Sequence, residues 1–271
     1  MEWIKEDKFS IRVIEELKKE IENTTILILA GGSGKRMNIP FPKSLLELKE
    51  GYTLLDREIE FYLNCGFKDF VFLLGFGAEK ILSHLKEREY DKRINYKVSI
   101  DPTTENWGKG KALKYALENG IIDMRRRIII SFPDDLKLDR YLPLKLLLSH
   151  LHAKETYDIT GTIVLTNGYN FPFGVARVEN NFVIDFVEKP HMNVFVSIGM
   201  YAFEKEIWNI IDREISLEEK RSIEFEEIVL PKLARENKLY SLLVSSDSWI
   251  PINDMKAYET AKKIINSISY R

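Results

Sequence analysis

Glutamine is missing from all 271 residues, and cysteine occurs once, at Cys65. A single thiol excludes an intramolecular disulfide framework and fits a reducing compartment. There is no basic excess either: 40 Lys and Arg against 42 Asp and Glu leave a formal charge of −2. That balance argues against nucleic acid as a partner. No apolar run approaches the roughly 20 residues a helix needs to span a bilayer, so no membrane partner is expected. The first 22 residues lack the apolar core of a secretory signal, and the chain is expected to be cytoplasmic. No Ser/Gly linker and no internal repeat divides the sequence. The four histidines, at 84, 150, 152 and 191, show no metal-ligand spacing with one another or with Cys65, which reads as a core residue. Lack of glutamine beside abundant Lys, Glu, Arg and Ile leans toward a thermophile composition.

What is present suffices for a folded core, since 45% of the residues are hydrophobic and 11% aromatic. Phe9, Val13, Ile14, Leu17 and Ile21 recur at helical spacing and predict an amphipathic helix over residues 9–22, laid against the body. This helix is a candidate contact surface for a homo-oligomer. Ile26 to Ala30 is a short, wholly apolar run, as in a strand buried on both faces. Alternation follows. Helices are predicted over 53–65, 78–85 and 109–117, and strands over 70–74, 94–100 and 127–132. Such βαβ alternation implies a mostly parallel sheet covered by helices on both sides. From about Ile159 strands crowd together, over 159–165, 173–178, 182–187 and 195–203. Helices return at 204–213, 224–235 and 256–268, and the Leu-rich run Leu142 to Leu151 reads as a core-facing helix.

Gly31-Gly32-Ser33-Gly34-Lys35-Arg36-Met37 follows the first buried strand directly. Glycines let backbone amides approach an anion, and in an open parallel sheet this strand end is where ligands bind. A Walker loop is excluded, because Leu29 stands where it needs glycine and Arg36 where it needs Ser or Thr. The dinucleotide fingerprint is excluded by Met37. Shortly after comes Phe41-Pro42-Lys43-Ser44-Leu45, where Pro40 and Pro42 predict an extended segment presenting Lys43. Trp107-Gly108-Lys109-Gly110-Lys111 opens a predicted helix, its two lysines reading as exposed. Ser131-Phe132-Pro133-Asp134-Asp135 ends a strand, and hard oxygen ligands there suit Mg²⁺. Val187-Glu188-Lys189-Pro190 follows a later strand.

Each element alone is weak; together and in this order, over roughly residues 25–262, they resemble the sugar-1-phosphate nucleotidyltransferase (sugar-nucleotide pyrophosphorylase) family, such as glucose-1-phosphate uridylyl- and thymidylyltransferases. The resemblance implies an α/β fold with a Rossmann-like, mostly parallel mixed sheet flanked by helices (GT-A-like), with a smaller mixed-sheet sugar-binding part. It implies a nucleoside triphosphate and a sugar 1-phosphate as substrates, UTP or dTTP with glucose 1-phosphate being favoured. Alternatives are a GTP-dependent mannose- or heptose-1-phosphate guanylyltransferase, a cytidylyltransferase acting on an alcohol phosphate, and a non-catalytic relative that binds sugar nucleotides. Leu29, Ala30, Gly31, Gly32, Ser33, Gly34 and Gly108 are then expected around the nucleotide, and Arg36 and Lys43 on its phosphates. Lys189 is expected on the sugar phosphate, and Gly174, Glu188 and Gly199 around the sugar. Mg²⁺ is the implied cofactor, with Asp134 as a ligand and Asp135 as second choice. The family's further metal-binding Asp is replaced here by Pro251 in Trp249-Ile250-Pro251-Ile252-Asn253-Asp254, so Asn253 or Asp254 is expected to substitute. Residues 1–23 are expected to form a helical extension and 24–271 one nucleotidyltransferase domain, with a nucleotide-binding half over about 24–155 and a sugar-binding half over about 156–271.

Overall fold

A computed structural model describes residues 8–268 apart from 33–36, 38 and 104, with side chains described from residue 12 to 267. Along the chain run α1 (Lys8–Glu22), β1 (Thr24–Leu29), β2 (Glu47–Lys49), β3 (Tyr52–Thr53), α2 (Leu54–Leu63), β4 (Asp69–Leu74), α3 (Ala78–Glu87) and β5 (Asn95–Ile100). Then follow α4 (Gly108–Glu118), β6 (Arg127–Ser131), β7 (Asp135–Lys137), α5 (Leu142–Tyr157), β8 (Gly161–Asn170), β9 (Val175–Glu179) and β10 (Phe182–Val187). The chain finishes with β11 (His191–Phe203), α6 (Ile207–Glu214), α7 (Phe225–Arg235), β12 (Leu239–Val244), β13 (Trp249–Pro251) and α8 (Met255–Ile268).

Seven strands form the central sheet in the order β12-β8-β11-β6-β1-β4-β5. β1 pairs in parallel with β4 and β6, β4 with β5, and β8 with β12. β11 runs antiparallel between β6 and β8, making the sheet mixed, as the resemblance implied. Every residue of β1 is buried, because helices cover both faces. Ile26 and Ile28 point into a core shared with α2, α3 and α5, while Leu27 and Leu29 point into one shared with α4, α6 and α7. A third cluster, with Leu48, Leu136, Ile252 and Tyr258, docks α8 beside β2.

α1 departs from the expected pattern. Leu17 and Ile21 pack on the core, but Val13 and Ile14 are 46% and 53% exposed. Among the described side chains the end of the helix is tied down: Thr24 Oγ1 donates to the Glu20 carbonyl at 2.7 Å, and Arg127 bridges Glu20 and Glu204, each at 2.7 Å.

Candidate active site

Strands β1, β4, β5 and β6 are mutually parallel, so the loops at their carboxyl ends share one edge of the sheet. There they surround a cavity of about 800 Å³. Leu29, Ala30, Gly31 and Gly32 line it from the first loop; Lys43, Gly108, Asp134, Gly199 and Asn253 join them from five other segments. Ser33, Gly34 and Arg36 lie outside the described residues. Gly174, Glu188 and Lys189 do not border the cavity; they stand on the exposed β9–β10 arm and its base. Gly174 and Glu188 are neighbours there, since a Cβ at 174 would come within 2.8 Å of Glu188 Oε2.

Small residues are needed where loops meet. A Cβ on Gly31 would sit 3.2 Å from both the Gly75 amide and Asp101 Oδ2, so the loops after β1, β4 and β5 close up only around glycine. Gly108 adopts φ +80°, and a Cβ there would meet the Ile223 carbonyl at 2.4 Å. Its glycine thus has a packing reason besides its place on the cavity wall.

Pro42 is extended, as predicted, but Lys43 opens a short 3₁₀ turn over Lys43–Leu45, closed by Leu45 N–H donating to the Pro42 carbonyl at 2.9 Å. Lys43 Nζ reaches Asp134 Oδ2 at 3.3 Å; its side chain is 13% exposed against 48% for Asp134. The turn therefore holds a mostly buried cation against a half-open carboxylate.

Asp135 plays a different part. Its Oδ2 accepts from the Trp249 indole at 3.0 Å and its Oδ1 from the Ile252 amide at 3.2 Å. Burial, then the neighbouring Asp134 charge, push its carboxyl up to about 6, with Lys137, Trp249 and Lys43 pulling the other way. Pro251 pairs with Asp135 in the antiparallel β7–β13 ladder, and this pairing carries Asn253 to the cavity. Asp135 thus anchors the returning strand, leaving Asp134 as the more open carboxylate.

Beneath the turn carrying Asp134 lies a buried ion pair. Lys137 Nζ donates to both Glu58 oxygens at 3.1 Å, to Ser131 Oγ at 3.1 Å and to the Phe132 carbonyl at 2.8 Å. Ser131 Oγ also donates to Glu58. With these hydrogen bonds the lysine is well satisfied, which a buried charge requires.

Of the two lysines at the α4 entrance, Lys111 contradicts its expected exposure, while Lys109 keeps 38% of its side chain exposed. Lys111 is 3% exposed and donates to the carbonyls of Asn106 and Glu219. Lys109 lines the cavity, pairs with Glu226 and, at 3.4 Å, with Glu224, and lies 4.8 Å above the Phe132 ring. Asp101, which sequence reasoning passed over, also borders the cavity, and its Oδ1 is buried without a hydrogen-bond partner. Burial pushes its carboxyl up to about 7; the Trp107 indole N–H draws it back without reaching hydrogen-bonding geometry. The only signal was Asp-Pro after a strand, which ordinarily marks a turn.

Histidine and cysteine stay out of this chemistry. Buried His150 contacts Thr162 Oγ1 at 2.8 Å and Glu204 at 3.1 Å, and Cys65 is buried. Among the described residues no group of three or more His, Cys, Asp or Glu could by itself hold a metal, and no helix is long and apolar enough to cross a membrane.

Comparisons with known proteins give the chain its family and its fold. Residues 25–267 match the model of the nucleotidyl transferase family. The glucose-1-phosphate adenylyltransferase of Pasteurella multocida is 26% identical over 82% of this chain and 55% of its own length. A bifunctional GlmU protein of Clostridium beijerinckii is 29% identical over 56% of this chain and 30% of its own. The match thus spans about half, or less, of these relatives' length. A Bacillus anthracis protein assigned as a glucose-1-phosphate thymidylyltransferase and crystallised with sucrose superposes with a TM-score of 0.66 at 18% identity, covering 89% of this chain and 94% of that one. A UDP-glucose pyrophosphorylase bound to UDP-glucose gives 0.63 at 17% identity, covering 90% and 98%. The fold is shared with both, and the chain belongs to the nucleotidyl transferase family.

Proposed function

We propose that the protein transfers a nucleotidyl group from a nucleoside triphosphate to a sugar 1-phosphate, releasing pyrophosphate. One observation carries this reading: Gly31, Gly32, Lys43, Asp134 and Asn253, separated along the chain, border a single cavity of about 800 Å³. That volume lies within the usual range for small-molecule sites.

The attacking phosphate oxygen is already anionic at neutral pH, so no general base is needed. Bringing two polyanions together makes catalysis a matter of positioning and charge neutralisation. Lys43 supplies a cation at the cavity wall, and the amides of the Gly31–Gly32 segment offer donors to phosphate oxygens. Arg36 is assigned to the phosphates as well, and Lys189 to the sugar phosphate, with Glu188, Gly174 and Gly199 around the sugar.

The donor set near Asp134 fits a hard divalent cation. A half-open carboxylate and the Asn253 side-chain oxygen are too few to cage a metal alone, but Mg²⁺ binds through one or two carboxylates plus substrate phosphates and water. Asp134 and Asn253 would hold it, and it would supply charge stabilisation on the transferring phosphate. Lys43 is the counter-charge to Asp134 that the chain itself provides.

The sequence reading favours UTP or dTTP with glucose 1-phosphate. The relatives carry names with adenylyl, thymidylyl and UDP-glucose specificity, so base choice on this fold belongs to the cavity wall. A matrix of nucleoside triphosphates against sugar 1-phosphates, with magnesium and pyrophosphate release as the readout, tests the reading. Release with at least one pairing is expected; sugar-nucleotide binding with no release from any pairing would replace the enzyme by a binding relative.

A further inference from the structure

We propose that one face of the β9–β10 ribbon is the interface through which two copies of this chain associate. Twelve of the 21 large apolar side chains that stand exposed among the described residues fall within residues 171–195, at 37% to 74% exposure. Partners directly opposite in a ladder share a face, so the register sorts the ribbon. Val178 pairs with Val183 and Ala176 with Phe186, and these four make one wholly apolar face. The other face carries Arg177 opposite Asp185 and Glu179 opposite Phe182. The ribbon is thus patterned with one side for water and one for a core, yet both sides face solvent.

Area, charge and the weakness of an isolated ribbon point to a second copy as the cover. At roughly 150–250 Å² for a whole aromatic side chain, the groups exposed on the arm and its root present on the order of 1,000 Å². The largest apolar patch of a typical monomer is about 300–600 Å², whereas a stable association takes about 800 Å² from each partner. Between Val175 and Val187 the single cation, Arg177, stands against two carboxylates, Glu179 and Asp185. Nucleic acid or an anionic membrane would need the opposite balance. A two-stranded ribbon is marginal in water by itself, so its cover must be at hand whenever the chain folds. Another copy always is, while an unrelated partner has to be supplied. A two-fold axis lays the same face on itself, and small Ala176 beside large Phe186 lets two such layers interdigitate. Helix α1 offers less, because the large apolar groups exposed among its described side chains are Val13 and Ile14.

Sedimentation equilibrium of the full chain at micromolar concentration tests this. The expected mass is twice the 31.7 kDa of the chain. Val178→Lys with Val183→Lys brings like charges face to face and should weaken association at least about tenfold. The circular dichroism should not change, since these side chains are already 58% and 62% exposed. Two controls should leave the dimer intact: Val175→Lys on the other face of the ribbon, and Val13→Lys with Ile14→Lys on α1. A monomer throughout, a dimer that survives the change at 178 and 183, or one lost equally in either control would overturn the proposal. If the variant at 178 and 183 does not fold, hydrogen exchange of the unaltered chain decides. Amides of residues 175–187 should gain protection as protein concentration rises. Protection independent of concentration would mean that the arm is covered by its own chain, and protection gained only on adding neutral phospholipid vesicles would mean a membrane; either ends the proposal. None of these readouts involves turnover, so the transfer reading stands or falls separately.

Discussion

Residues expected around the nucleotide line the strand-end cavity, most of those expected around the sugar stand at the base of the β9–β10 arm, and the two regions are built in opposite ways. Around the cavity, Lys43 is 13% exposed, Lys137 and Glu58 are buried, and loops after several parallel strands meet at glycine contacts. On the arm every residue of β9 and β10 is exposed, including Phe182 at 74% and Phe186 at 60%. The cavity stands on the ends of strands paired in the central sheet; the arm makes its ladder with itself, β9 against β10. A two-stranded ribbon without a covering layer has little to hold it in one place. Nucleotide binding should therefore be a property of the cavity by itself, and sugar-phosphate capture a property that also needs the arm.

Substitutions separate the two. The largest effect is expected for Asp134→Ala and for Lys43→Ala, which should lower kcat by roughly 10²- to 10³-fold or more with the fold retained, as judged by circular dichroism. Near-normal turnover of either folded variant would remove it from the site. Lys189→Ala should also lose most turnover, while nucleoside triphosphate binding stays within about twofold of the parent; a matching loss of nucleotide affinity would place Lys189 with the cavity instead.

Stability tests sharpen the contrast further. Glu58→Leu strands the Lys137 charge beneath the Asp134 turn and should cost about 3–5 kcal/mol in urea unfolding. The same experiment on Val13→Lys with Ile14→Lys should show a change within about 0.5 kcal/mol, because both side chains are already exposed.

Acid should act through the scaffold first. Glu204 is burdened by burial, yet His150 and Arg127 hold its carboxyl down at about 2. Asp56 is likewise opposed by burial and held at about 2 by hydrogen bonds from His84, Thr53 and Tyr90. A carboxyl whose folded value is depressed contributes stability above its unfolded value, near 4, and loses it as pH falls toward 2. Each contributes roughly 2 kcal/mol that is lost over pH 4.5 to 2 in thermal unfolding, while Asp101 and Asp135, raised by burial to about 7 and about 6, lower stability as pH climbs from about 4 through those values. Glu204→Gln should shrink the loss in acid; an unchanged acid profile would remove Glu204 from the explanation.

Local features of the sequence were the readable ones. The apolar run of β1, the glycines after it, Pro42-Lys43 and Pro133-Asp134 each announce themselves within a few residues, and all fall on the sheet edge that holds the cavity. Elements defined by distant partners were not readable. β7 and β13 are three residues each and exist because Asp135 captures the Trp249–Ile252 segment more than 110 positions away. β12 was missed because its alternation is partial, half-buried on one edge of the sheet. Lys109 and Lys111 read as exposed since nothing near them in sequence signals the Glu226 carboxylate or the Glu219 carbonyl that take them in. Asp101 looked like a turn residue for the same reason: its burial against Gly31 and Gly75 is visible only in three dimensions.

The most direct measurement follows the label of an α-³²P nucleoside triphosphate in the presence of a sugar 1-phosphate and magnesium. The account predicts that the label moves to a sugar nucleotide while unlabelled pyrophosphate is released. Label recovered only as free nucleoside monophosphate, or left in the triphosphate with every sugar phosphate offered, would contradict it.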